Sequence, residues 1–495
     1  MASIRSEGEE SDLFGEYEQL GYDEMFDQTG VPRPHYATLY DRLLTLGGEE
    51  LSRRNRVADL TMRHQGITFT VYGRDRGGVE RIIPFDPIPR IVNAEEWSKI
   101  DLGLRQRVRA LNLFIQDVYH DRKILKDNVV PAELVLGASG FRREFAGLRV
   151  PKDIYVHVSG IDLIRDVDGT YLVLEDNCRT PSGVSYVLKN REVMKQVFPS
   201  LFGHYNVEPI DDYADNLLAV LRHIAPSDRE DPRVVVLTPG LYNSAYYEHS
   251  YLARRMGVEL VEGRDLVLDR GQIFMRTTRG LQRVDVIYRR IDDDFLDPLI
   301  FRRDSSLGVA GLVSSYRAGQ VGLANAIGTG VADDKGIYPY VPEMIKYYLG
   351  EDAILPNVET FRPLVKSHRQ HILANLDKLV VKAVDGSGGY GMLIGPASTA
   401  EQRDEFARKI EANPRGYIAQ PTICLSRHPT FVEGDRLEGR HVDLRPFVLY
   451  GEDIKVLPGG LTRVALPKGS LVVNSSQGGG TKDTWVLRDS IGEGD

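Results

Sequence analysis

Asp162, Glu175 and Asn177 offer two carboxylates and one amide oxygen, at a spacing that a hairpin gathers to one spot. Tyr155 to Arg165 reads as a strand, Asp168-Gly169 as a tight-turn dipeptide, and Thr170 to Leu174 as the return strand. Folding at 168–169 brings Asp162 near Glu175 at the open end. Period-two alternation then puts Glu175 and Asn177 on one face, while Cys178 turns away. A set of oxygen donors without imidazole or thiolate suits Mg²⁺, with Mn²⁺ as the alternative. Such ions keep waters and share phosphate oxygens with a substrate. The competing reading is a solvated hairpin end that carries a few acids.

A second group suits phosphate. Leu379 to Val384 reads as a strand carrying Lys382, and it runs into Gly386-Ser387-Gly388-Gly389-Tyr390-Gly391. The glycines have the G-x-G-x-x-G form of a dinucleotide fingerprint, which requires a helix after them. Here they lead instead into a short apolar run stopped by Gly395-Pro396, which predicts a strand, a glycine flap and a second strand. Backbone N–H groups of such a flap donate to phosphate oxygens, and Lys382 adds a point charge. No G-x-x-x-x-G-K-[ST] loop occurs. Tyr417 to Pro421, with Gln420, is a strand ending at a proline, suited to pair its backbone with adenine. Arg179 and Ser182 lie in a polar loop after the hairpin, where they could hold phosphate or a carboxylate; Arg179 could equally balance the neighbouring acids. Asn474 to Asp483 is glycine-rich with one lysine, Lys482, which fits anion binding or a surface loop.

The elements expected to position these groups are mixed helices and strands. Helical periodicity covers His35 to Arg63, Gly103 to Tyr119 and Ser185 to Val197, with Arg105, Arg107 and Arg109 assigned to the wet face of the second. Ile67 to Tyr72 and Val79 to Phe85 read as strands, and Asp86 to Arg90, with two prolines, as a stiff connector. Between 233 and 300, strands alternate with a helix, as in a small open parallel sheet. Ligands of such sheets sit at the carboxyl ends of strands. Glu248, His249, Arg289 and Arg290 fall there, as substrate-binding candidates or as a salt-bridged cluster.

The chain has 495 residues, 42% apolar and 27% charged, which fits a globular protein of several structural units. A net charge of −9 without a dense Lys/Arg stripe argues against nucleic acid. No signal-peptide pattern and no apolar run of about 18 residues is present, so no membrane partner is expected. Two cysteines, Cys178 and Cys424, argue against a disulfide framework and point to the cytoplasm.

Taken together, the oxygen cluster, the flap with Lys382 and the hinge strand read as an ATP site. Asp162…Glu175-x-Asn177 resembles the metal strand pair of ATP-grasp enzymes. Lys335, Lys382 with its flap, and Tyr417 to Pro421 resemble that fold's nucleotide lysines, phosphate loop and hinge. The acidic motif precedes the lysines here, the reverse of the usual order, which resembles the circularly permuted ATP-grasp family related to glutathionylspermidine synthase. The resemblance implies an α/β (α+β) fold with a small Rossmann-like domain. Residues 1–28, rich in acids and poor in large apolar residues, read as an acidic mobile tail, with a short acidic helix docked on the body as the alternative. The layout the resemblance suggests is then a region with the metal hairpin (29–205) and a Rossmann-like substrate domain (206–330). A lid with flap and hinge (331–450) and a closing part of the core (451–495) follow. It implies ATP and Mg²⁺, acid and amine substrates that are small molecules or peptides, and amide formation through an acyl phosphate. His249 would then be a candidate base. The family pattern has Arg where this chain has Gly160, so the catalytic cation is expected from Arg445, Arg463 or Arg179. The alternatives are phosphotransfer to another acceptor and a nucleotide-binding partner subunit without turnover.

Overall fold

The structure is a computed structural model describing residues 13–15, 17–72, 78–386, 391–432, 435–474 and 478–488. Its largest element is a nine-stranded sheet. Along the main path the order is Ile454–Val456, Phe447–Tyr450, Val158–Arg165, Arg436–Arg445, Leu461–Val464, Gly480–Val486 and Phe85–Val92. Arg427–Val432 pairs with Arg436–Arg445, and Tyr171–Asn177 pairs with Val158–Arg165. Val158–Arg165 lies between Tyr171–Asn177 on one edge and two consecutive strands from the other end of the chain on the other, with Gly160 opposite Phe447 and Leu163 opposite Leu444. The helices Ala37–His64, Ala94–Tyr119 and Val184–Val197 pack near this sheet. Asn93 caps the second, its side chain accepting from Glu96 N at 2.9 Å.

Asp86 to Arg90 is not a connector. Phe85–Val92 is a fully buried strand running parallel to Gly480–Val486. Its two prolines are tolerated because it forms the sheet's last strand, where one side needs no ladder donors. The assignment of Arg107 to solvent also fails. Arg107 is buried and holds Asp176 through two bonds of 2.7 Å, with a third, of 2.8 Å, to Asn357 Oδ1. Arg105, by contrast, pairs with Asp101 one turn away, at 2.6 Å.

The expected acidic tail is anchored where it is described. Glu24 is buried between Arg90 at 2.6 Å and Arg165 at 3.1 Å, and accepts from Ser426 Oγ at 2.6 Å. Two buried arginines on the sheet need a carboxylate, because an unpaired buried charge is costly. Residues 1–12 and 16 lie outside the described residues.

The region 233–324 holds a four-stranded, all-parallel sheet in the order Gly322–Ala324, Val286–Arg289, Val234–Leu237 and Glu259–Val261. An antiparallel three-stranded sheet, Leu266–Asp269 to Arg283, is inserted before its third strand in sequence. A third small sheet places Leu379–Ala383 between Leu393–Ile394 and Tyr417–Pro421. Arg427 to Tyr450, expected in the lid, belongs to the nine-stranded sheet instead. Among the described residues, no helix is long and apolar enough to cross a membrane.

Candidate active site

The hairpin closes as its turn residues dictate. Gly169 adopts φ 87°, and Asp162 stands directly opposite Glu175 in the register, with Gly160 opposite Asn177. Asp176 faces away and is held by Arg107, which leaves Glu175 and Asn177 toward a cavity of about 490 Å³. The small sheet supplies the opposite wall through Lys382, Gly386 and Gln420. Asn325 ties this region to the parallel sheet. Its Oδ1 accepts from His157 N and Val158 N, both at 2.8 Å, and its Nδ2 donates to Val158 O and Cys178 O at 2.7 and 2.8 Å.

One end of the cavity is charged. Asp162 is gripped by Arg445 through Nε and through Nη2 at 2.7 Å, and by Arg463 Nη2 at 2.7 Å. Burial pushes the Asp162 carboxyl upward, but the two guanidiniums outweigh it and hold it well below the usual carboxylate range. Lys335 Nζ lies 3.1 Å from Glu175 and donates to Gly386 O at 2.7 Å. Lys382 Nζ donates to Gln420 Oε1 at 2.8 Å, and Gln420 Nε2 donates to Thr360 Oγ1 at 3.0 Å. Burial lowers the Lys382 ammonium to about 8, partly offset by Glu175. The other end is apolar, with Ile164, Leu174, Val380, Ile394, Ile423 and Leu471 beside Gln420 to Thr422.

The sequence reading missed Asp443. It lines the same cavity, pairs with Arg463, and has its carboxyl raised by burial against the pull of Arg463. Its place two residues before Arg445 on a strand was the available signal. Asn474 also joins, accepting from Arg463 at 3.1 Å. Gly160 carries a second message. A Cβ there would lie 3.2 Å from Arg445 Cδ and 3.3 Å from Pro181 Cβ, so the Arg445 side chain crosses the space a side chain at 160 would enter.

Other candidates separate. Arg179 faces Asp292 at 3.4 Å and Asp333 at 3.5 Å, and so balances acids. Lys482 is fully buried on Asp86, donating also to Pro429 O at 2.9 Å; it sits in the core strand Gly480–Val486, and its ammonium is engaged by Asp86 away from the cavity lining. Arg289 is buried and donates to the carbonyls of Asn325, Ile291 and Ala326 at 2.8–2.9 Å, with Asp293 at 2.8 Å, a structural clasp and not a substrate group. Glu248 accepts from Gly183 N at 2.8 Å and Ser185 N at 3.0 Å, and so caps the helix Val184–Val197. Arg290 donates to Glu248 at 3.1 Å and to Ser182 Oγ at 2.6 Å. His249 is buried beside Thr238 Oγ1 at 2.9 Å; burial, then Arg290, lowers its imidazole to about 2. Gly391 adopts φ 69°. Ser387, Gly388, Gly389 and Tyr390 lie outside the described residues.

The donor chemistry around Asp162 fits a hard divalent cation. Asp162, Glu175, Asn177 and Asp443 present carboxylate or amide groups to one cavity, with Asp162 already held by Arg445 and Arg463 and Glu175 by Lys335; Asn177 Nδ2, an amide donor buried without a partner, would be satisfied by a phosphate oxygen and not by the cation. Among the described residues, no group of three or more His, Cys, Asp or Glu side chains is arranged as a metal cage, so phosphate oxygens would have to complete the shell.

A carboxylate-bearing sheet and a small lysine-bearing sheet closing on one half-apolar cavity define an ATP-grasp fold. The chain belongs to the circularly permuted ATP-grasp type 2 family, whose model matches residues 89–465. An uncharacterized protein of Synechocystis sp. is 55% identical over 470 residues, covering 95% of this chain and 97% of that one. An uncharacterized protein of Mycobacterium tuberculosis is 52% identical, covering 96% and 86%. A Frankia casuarinae protein provisionally named glutamate–cysteine ligase 2-2 is 43% identical over 96% of this chain, which spans only 55% of that relative. The apo structure of a glutathione synthetase-like effector from Globodera pallida shares the fold, with TM-score 0.57, 10% identity, and coverage of 89% of this chain and 98% of that one.

Proposed function

We propose that the chain is an ATP-dependent carboxylate–amine ligase acting through an acyl phosphate. The observation that carries this is one cavity with an apolar end, a lysine pair, and a carboxylate cluster crossed by two arginines. The apolar end beside Gln420 to Thr422 suits adenine, and Lys335 and Lys382 suit the phosphates. Mg²⁺, when held by Asp162, Glu175 and Asn177, would supply neutralisation of phosphate charge.

The reaction asks for charge placement more than for a nucleophilic side chain. A substrate carboxylate oxygen attacks the γ-phosphorus, and the bond to the bridging oxygen breaks with its electron pair leaving on ADP. Arg445 and Arg463 supply positive charge at the cavity end where this transfer would occur. The amine nitrogen then forms a bond to the acyl carbon. Inorganic phosphate departs with the C–O electron pair, and the nitrogen loses its surplus proton. Arg445 crossing Gly160 supports it as the cation that the family pattern carries at that position.

The test is ADP and phosphate release against pooled acids and amines, with L-glutamate among the first acids because of the Frankia relative's name. Products are read by mass spectrometry. Amide formation that requires both pools supports the ligase. A phosphorylated product accumulating regardless of amine would make it a phosphotransferase, and ATP binding without turnover would make it a binding subunit.

A further inference from the structure

The segment from Pro356 to Phe361 touches both walls of the large cavity. On one side it pairs with the return strand of the hairpin, two residues from Glu175. Val173 N donates to Pro356 O at 2.8 Å, and Val358 N donates to Val173 O at 2.9 Å. On the other side Phe361 and Ala419 exchange backbone bonds of 2.7 and 3.0 Å, beside Gln420 of the small sheet. Thr360 Oγ1 lies between them, accepting from Gln420 Nε2 at 3.0 Å, and Gln420 in turn accepts from Lys382. Asn357 fixes the strap to the body of the protein, accepting from Arg107 at 2.8 Å and donating to Tyr338 O at 3.0 Å.

A separate pocket of about 300 Å³ opens on this strap and shares no lining residue with the large cavity. Its body wall is Pro339, Pro342 and Ala353, at the two ends of the helix Val341–Leu349; the strap forms the other wall. Most of this surface is apolar. Arg362 is the cation on it. Its Nε is buried without a partner, and among the described residues its guanidinium forms no ion pair, lying instead 4.5 Å from the centroid of the Tyr340 ring. Glu359, the carboxylate on the wall, is exposed to water. The two charges are therefore unequal toward a ligand. A buried donor without an acceptor gains a whole hydrogen bond from an entering anion, whereas a hydrated carboxylate trades water for an ammonium at little net gain.

We propose that this outer pocket is an effector site for a small monocarboxylate with an apolar ring, and that its occupancy tightens nucleotide binding in the large cavity. The carboxylate meets Arg362 and the ring lies on the proline and alanine wall. The direction follows from what such a ligand braces. Spanning Pro339 and Arg362, it holds the strap against the body in the arrangement where Lys335 reaches Glu175 and Thr360 positions Gln420 against Lys382. A ligand shifts an equilibrium by its differential affinity for two states, and this pocket is built only jointly by strap and body. The coupling rests on the nucleotide reading of the large cavity; recognition at Arg362 does not.

The full chain is titrated with benzoate and with benzylamine, a ring of opposite charge, by ligand-observed NMR. Mg-ATPγS is titrated by calorimetry with and without each. Benzoate is expected to bind and benzylamine is not. Benzoate should tighten ATPγS at least about fivefold, and ATPγS should tighten benzoate by the same factor. Arg362→Gln should weaken benzoate at least about tenfold, and Ala353→Leu, which fills the pocket without changing charge, should do the same. Both variants should keep the parent's ATPγS affinity measured without benzoate. Thr360→Val, which removes the hydroxyl facing Gln420, should keep benzoate binding and abolish the mutual tightening. Benzylamine binding in place of benzoate, or benzoate binding indifferent to Arg362→Gln and Ala353→Leu, overturns the site. ATPγS affinity that benzoate leaves unchanged or weakens overturns its effector role. If ATPγS fails to bind while benzoate binding still depends on Arg362, the nucleotide reading of the large cavity falls and the anion pocket stands.

Discussion

On the proposed placement of Lys382 at the phosphates, its depressed ammonium should make nucleotide affinity a function of pH. Lys382 is buried, and burial lowers its ammonium to about 8 from an ordinary value of 10.5. The triphosphate would bind the protonated form and raise its pKa. Free protein at pH 7 then holds about 90% of Lys382 charged, and at pH 9 about 10%. Apparent affinity scales with the competent fraction, so Kd should weaken roughly tenfold between pH 7 and pH 9. The sign follows from linkage: binding above pH 8 must take up a proton, about 0.9 per nucleotide at pH 9 against about 0.1 at pH 7. Calorimetry with Mg-ATPγS in buffers of different ionisation enthalpy reads this uptake directly. Lys382→Arg, charged throughout, should flatten the profile, and Lys382→Ala should flatten it at weaker affinity. Uptake near zero and an unchanged Kd across pH 7–9 in the parent would refute the placement of Lys382 on phosphate.

Glu175→Gln removes one carboxylate from the proposed metal set and should abolish ATP turnover while the circular dichroism spectrum stays unchanged; ordinary turnover in this variant removes the cluster from the mechanism. Gly160→Val forces Arg445 aside and should slow turnover at least about tenfold, about 1.4 kcal/mol in barrier, with the fold retained; an unchanged rate would mean Arg445 is not the working cation. Arg107→Ala leaves Asp176 buried and unpaired, which should cost about 3–5 kcal/mol in urea unfolding. Lys482→Ala should destabilise similarly yet leave ATPγS affinity intact in the folded protein, and a selective loss of nucleotide binding there would restore Lys482 to the site.

The hairpin was legible because its information is local: a turn dipeptide fixes the fold-back, and alternation fixes the faces. The same holds for Lys382, whose strand runs straight into glycines. Arg107 was misread because its partner, Asp176, is 69 residues away, and nothing in a helical period marks one arginine as buried. Lys482 was misread because a glycine-rich stretch hid the start of a core strand. Asp86 to Arg90 was misread because two prolines hide a strand whose edge position depends on chain beyond residue 480. Asp443 and the Arg445 crossing of Gly160 join strands nearly three hundred residues apart, which no local pattern records.

The pairing of Val158–Arg165 with strands from residues 436–450 has a consequence for biosynthesis. While the ribosome is still making the middle of the chain, the hairpin has no neighbour for either outer edge, and Asp162 has no guanidinium to face. The sheet can complete only after the segment past Gly480 emerges to meet Phe85–Val92. Such long-range pairing slows folding and leaves strand edges open meanwhile. A nascent chain stalled before residue 430 should therefore be protease-sensitive through 155–177, and a stop codon there should yield an aggregating fragment in place of a smaller working enzyme.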